Sequence, residues 1–132
     1  SFPFGISQLN AEKIVRDPFK VHDDGSLTCF GDVPEGEFIS VLHGEPESLV
    51  DAARGARDDA TDGQSDTDAL VLFDCISRAL YLQSAFDDEL AAVAETSEPV
   101  IGALTVGEVA NDREGHLDYF NKTAVVGALT DR

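Results

Sequence analysis

With 132 residues, the chain can bury roughly two-thirds of its unfolded surface and fold as one domain without a disulfide or metal staple. Its 42% hydrophobic content excludes wholesale disorder. Twenty-six Asp and Glu against nine Lys and Arg give a formal net charge of −17, which excludes a nucleic-acid site, where a basic stripe must neutralise phosphates, and an anionic membrane surface.

In chain order, Ile14 to Val21 reads as a strand interrupted by Pro18, which suits an edge position. His22-Asp23-Asp24-Gly25 is a turn, and Ser26 to Phe30 returns as the second arm of a hairpin, with Leu27 and Cys29 alternating against Ser26 and Thr28. A second turn, Val33 to Gly36, leads into a third strand, Glu37 to His43. Pro46 then opens a helix at its first turn, where a missing N–H costs nothing. Leu49, Ala53, Ala56 and Ala60 form one mostly alanine face of that helix, which therefore lies close against a sheet.

Asp58 to Asp68 is an acidic loop. Asp58, Asp62 and Gly63 match calcium-loop positions, but Ala60 and Ala69 stand where ligands are required, so the loop is read as solvated. Ala69 to Phe73 is a continuous apolar run, the mark of a strand covered on both faces. Ser84 caps a second helix, with Phe86, Leu90 and Val93 on one face, and Glu98-Pro99 ends it. Val100 to Val109 is a glycine-containing strand, Asn111 to Gly115 a turn, and Leu117 to Leu129 one long strand or two. The order β-β-β-α-β-α-β-β predicts an α+β fold: a mixed, largely antiparallel sheet with two helices packed on it, one domain over residues 1–132.

At low salt this much like charge works against the compact state, and molar salt screens it, so the composition points to concentrated cytoplasmic salt, as in haloarchaea, with an ordinary acidic mesophile protein as the plainer alternative. The chain starts at Ser1 and has no methionine, which is read as a segment cut from a longer protein. No apolar run reaches the roughly 18 residues of a membrane-spanning helix, no signal peptide opens the chain, and Cys29 and Cys75 lack CxxC spacing. A cytoplasmic location with reduced thiols is expected. His22, His43 and His116 are scattered, so no metal site and no cofactor is expected.

Polar residues gather where apolar strands end: Asp74, Cys75 and Arg78, then Thr105, Gly107 and Glu108, then Asn121 and Thr123. If those strands are neighbours, these side chains meet in one pocket. Leu72 to Arg78 (LFDCISR), Pro99 to Val109 (PVIGALTVGEV) and His116 to Thr123 (HLDYFNKT), with Ile14 to Pro18 (IVRDP) and Asp32 to Gly36 (DVPEG), resemble the C-terminal half of the FIST sensory domain. Ser77 stands where that family often has glycine, and Leu104 where it often has an aromatic residue. The resemblance implies an intracellular signal-input module that binds a small ligand such as an amino acid. It also implies as partners an N-terminal half of the same protein and a downstream signalling protein such as a chemotaxis transducer.

For an amino-acid ligand, Arg78 offers a planar fork to the carboxylate and Glu108 accepts from the ammonium. Asn121 and Thr123 offer neutral donors and acceptors, and Gly102 and Gly107 let backbone approach closely. The ligand-binding set is thus Cys75, Arg78, Thr105, Gly107, Glu108, Asn121 and Thr123, with no catalytic residue. The plainer alternative pairs Arg78 and Glu108 with each other or with surface carboxylates. Two other functions fit: an interaction or homodimerisation module using the Pro18 strand edge, and a hydrolase or redox enzyme using Cys75 with His116. Against the latter stands the absence of a nucleophile elbow, Walker loop or zinc motif.

Overall fold

The computed structural model describes residues 2–7, 13–62, 66–110 and 117–131. The expected turn at Asn111 to Gly115, the middle of the acidic loop (Gly63 to Ser65) and His116 lie outside them. Short strands come first: β1 (Phe4–Ile6), β2 (Ile14–Arg16), β3 (Pro18–Val21), β4 (Leu27–Cys29) and β5 (Ile39–Val41). Then follow α1 (Pro46–Thr61), β6 (Ala69–Cys75), α2 (Ile76–Leu82), α3 (Phe86–Ala94), β7 (Val100–Thr105), β8 (Glu108–Ala110), β9 (Asp118–Phe120) and β10 (Ala124–Leu129). The class is α+β.

Pro18 does more than mark an edge: it divides Ile14 to Val21 between two sheets. β2 pairs antiparallel with β1, while β3 pairs with β4, with a register shift between Pro18 and Lys20. The hairpin turn closes through Ser26, whose backbone N–H and hydroxyl both reach Asp24 Oδ1, at 2.9 and 2.7 Å. The expected single sheet is instead four among the described strands, ordered β2-β1-β5, β10-β6-β7, β3-β4 and β8-β9. Breaks at Pro18, Gly107 and Asn121-Lys122 keep the flanking strands too short to span one continuous sheet.

The mixed sheet carries the core. β6 runs parallel to β7, with Leu72 opposite Gly102, and antiparallel to β10, with Leu72 opposite Val126. Gly102 is required by this pairing, because a methyl group there would come within 2.1 Å of the Leu72 carbonyl oxygen. Pro46 opens α1 as expected, and Ala53 on its small-residue face is fully buried against Leu72 and Val93. α1 packs on both β10 and α3.

Two expectations fail here. The apolar run in β6 is not covered on both faces: Leu70 and Leu72 are buried, but Phe73 is 47% exposed, and Ile101 (61%) and Leu129 (49%) lie on the same side. Nor does Ser84 cap the second helix. It sits in a 3-10 turn, Gln83–Ala85, that joins α2 to α3, and α3 starts at Phe86 without a side-chain cap. The buried face of α3 is Glu89, Ala92 and Val93, whereas Leu90 is exposed. No helix among the described residues is long and apolar enough to cross a membrane.

Candidate functional site

β6 runs directly into α2, so Asp74 and Arg78, four residues apart, straddle the junction. Their closest approach is 3.5 Å, between Asp74 Oδ1 and Arg78 Nε. α3 then presents Glu89 to the same guanidinium: Nε donates to Glu89 Oε1 at 3.0 Å and Nη2 to Oε2. Nη2 also donates to the Leu49 carbonyl at 2.9 Å, and Nη1 to the Lys122 carbonyl at 3.2 Å. The planar fork expected to meet a ligand carboxylate is therefore held by Glu89, and Arg78 positions its neighbours. Sequence reasoning found Arg78 but not this partner.

The second segment comes from the end of β7. The Thr105 hydroxyl donates to Glu108 Oε1 at 2.6 Å and lies 3.3 Å from the Asp74 carbonyl oxygen. Gly107 makes the bend between them with φ of 96°, a left-handed conformation that favours glycine. The room it leaves belongs to Tyr119, whose hydroxyl oxygen would lie 2.0 Å from a methyl group at position 107. That hydroxyl donates to the Val106 carbonyl at 3.1 Å and accepts from Asn121 Nδ2 at 3.2 Å. Gly102 and Gly107 thus admit other parts of the chain, and neither leaves its space open to a ligand.

The third segment is the turn between β9 and β10. The Cys75 N–H donates to the Thr123 carbonyl at 3.1 Å, and the Thr123 hydroxyl to the Asn121 carbonyl at 3.2 Å. Between them Lys122 adopts φ of 56° and its ammonium pairs with Asp17 at 3.1 Å. All the expected site residues are therefore brought together at the carboxyl end of β6. Tyr119, Asp17 and Glu89 were not anticipated. Glu89 in particular follows Asp87 and Asp88, and an acidic run reads as a solvated face.

This region is buried and, among the described residues, rich in acceptors. Asp74, Arg78, Glu89, Glu108 and Asn121 are each at most 4% exposed. Among the described residues, both carboxyl oxygens of Asp74, Glu108 Oε2 and Asn121 Oδ1 lack a well-formed hydrogen bond. Burial first, then the negative charge of Glu89, push the Asp74 carboxyl up to about 7, against the opposing pull of Arg78. Burial also raises Glu108. The Thr105 hydroxyl restrains that rise most, with smaller contributions from the backbone of Thr123 and Gly107 and from the Cys75 thiol.

Asp74 and Glu89 beside the Arg78 guanidinium, with Glu108 close enough to act on Asp74, make an acceptor-rich interior. Among the described residues no group of three His, Cys, Asp or Glu side chains could hold a metal ion. Cys29 and Cys75 are free thiols, and Cys75 Sγ lies 3.1 Å from Ser77 Oγ. The described histidines are engaged elsewhere, His22 with Thr28 at 2.6 Å and His43 beside Glu45 at 3.3 Å. Two surface grooves, of about 360 and 320 Å³, lie away from this cluster, one by Pro46, Val50 and Asp88 and the other by Arg57, Thr67 and Glu98.

The FIST C domain family model matches residues 1–111, which takes in Cys75, Arg78, Thr105, Gly107 and Glu108 and ends before Asn121 and Thr123. No curated protein and no solved structure matches the chain. The chain belongs to the FIST C domain family, a family of sensory-type domains.

Proposed function

We propose that this FIST C domain is the input part of an intracellular sensory protein from a salt-rich cytoplasm. It binds a small ligand such as an amino acid, together with an N-terminal half of the same protein, and passes the signal to a transducer-like partner. The ligand is held at the carboxyl end of β6 by Cys75, Thr105, Glu108, Asn121 and Thr123. Arg78 and Gly107 shape that end of the strand from within the fold. The observation that carries this reading is the convergence of buried polar side chains at this strand end, where among the described residues more acceptor atoms than donors meet, Asn121 Oδ1 being one without a hydrogen bond. Calorimetric titration of the protein with each of the twenty amino acids in molar KCl is expected to give saturable heat for at least one. Flat traces for all twenty, from the chain joined to its N-terminal half, overturn the reading.

A second reading, a protein-interaction or homodimerisation module, is favoured by the open side of the mixed sheet, where Phe73, Ile101 and Leu129 are exposed together. The Pro18 edge also supports it, since β3 pairs only with β4 among the described strands. In that case the solution mass rises with protein concentration at fixed salt. It stays monomeric if the domain senses ligand alone.

A further inference from the structure

The side of the mixed sheet away from the helices is built from alternate residues of β6, β7 and β10. The register places Val71 beside Ile101 and Gly127, and Phe73 beside Val125, all on that side. Leu72 and Val126 point the other way, into the core against Ala53 and Val93. Charged residues make up 27% of the chain, yet none stands at an outward position of these three strands. A sheet face that meets only water alternates in polar residues, and this face does not. Phe73, Ile101 and Leu129 are 47%, 61% and 49% exposed on it.

Gly127 lies within β10 on this face and is exposed. Its pairing with Val71 is regular, and its φ is not positive. A methyl group at Gly102 would strike the Leu72 carbonyl, whereas one at Gly127 would meet nothing within 4 Å among the described residues. Glycine weakens a strand interior, and in a regular strand it marks a place of close approach. Phe73 stands one strand over and two residues along from this hollow. A contact about a two-fold axis requires a surface that carries both a protrusion and its hollow, because each copy supplies both. Packed sheets lie about 10 Å apart with their strands roughly aligned, so a protruding ring opposite a glycine fills that gap. A basic partner would find no carboxylate on this face to hold it. The chain exposes 8528 Å², against roughly 6,700 Å² for a compact monomer of 14.1 kDa. That surplus, about 1,800 Å², exceeds the roughly 800 Å² that each partner gives to a stable interface.

We propose that two copies of this chain pack face to face through the open side of the mixed sheet, with Phe73 of each copy seated over Gly127 of the other. The proposal rests on the homodimerisation reading and names the surface that carries it, in place of the Pro18 edge. Each copy has a formal charge of −17, so the pair forms where salt screens the acidic remainder of the surface. The uncharged face is the part that two such chains can share.

The test is sedimentation equilibrium of the chain in molar KCl, from micromolar to millimolar protein, with circular dichroism checking that each variant is folded. The parent is expected to move from 14.1 kDa toward twice that mass as concentration rises. F73A removes the protrusion and is expected to raise the dissociation constant about tenfold or more. G127V separates the interface from the fold. Within one copy the valine meets no described atom and suits a strand, so the dilute monomer is expected to melt at or above the parent's temperature. Between copies it fills the hollow, and the dissociation constant is expected to rise about tenfold or more. Association that survives F73A and G127V but is lost in V21D overturns the proposal, while the homodimerisation reading stands and moves to the Pro18 edge. A mass of 14.1 kDa at every concentration also overturns it and leaves the open side to a different polypeptide.

Discussion

In an unfolded chain Asp74 titrates near 4, whereas in the fold burial and Glu89 hold its proton to about 7. Between those values the folded state binds a proton that the unfolded state has released. The sign follows: this residue's favourable contribution is complete below about pH 4, declines as pH rises to about 7, and stays lost above that. D74N keeps the shape of the protonated acid and can still donate to Glu89. Its melting temperature is expected to exceed that of the parent at pH 8 and to converge with it near pH 4, as followed by circular dichroism. A constant difference across that range would place the proton elsewhere. Sequence alone revealed Cys75, Arg78, Thr105 and Glu108 as candidates because polar groups at the ends of apolar strands stand out. It could not reveal Glu89, whose burial depends on the rotation of α3 by a single residue step, about 100°.

Arg78 joins α1, α2, α3 and the β9–β10 turn through one side chain. Truncating it removes both hydrogen bonds that the fully buried Glu89 accepts from the guanidinium. R78A is therefore expected to lose about 3–5 kcal/mol in urea unfolding. A double variant, R78M with E89M, is expected to lose much less, because neither charge is then stranded. Equal losses would mean that packing, and not charge pairing, docks the helices. The hairpin, the opening of α1 at Pro46 and the course of β6 were legible, since each is marked by a turn residue, a helix-starting proline or an unbroken apolar run. α2 was not, because Ile76 follows β6 without a breaker or a capping side chain, and its buried residues, Arg78 and Leu82, include a charge. The division into four sheets depends on which short strands find partners, a tertiary outcome that hydropathy does not encode.

A formal charge of −17 on a chain of this size acts at the scale of the whole molecule. Surface repulsion reaches about 10 Å in 0.1 M salt and about 3 Å in 1 M. Raising KCl from the first to the second is therefore expected to raise the melting temperature, while the difference between D74N and its parent at pH 8 stays nearly constant, being internal. Melting temperatures that ignore salt would show that the carboxylates are already compensated locally. The one-sided placement of the helices sets a further condition. Parallel strands such as β6 and β7 belong to sheets covered above and below, and here the uncovered side presents Phe73, Ile101 and Leu129. The ions that let the acidic shell relax also remove the repulsion that keeps two such bare surfaces apart. On its own, the domain is therefore expected to have a limited range of brine concentration in which it is both folded and dispersed, and a third layer of polypeptide over that side would widen the range.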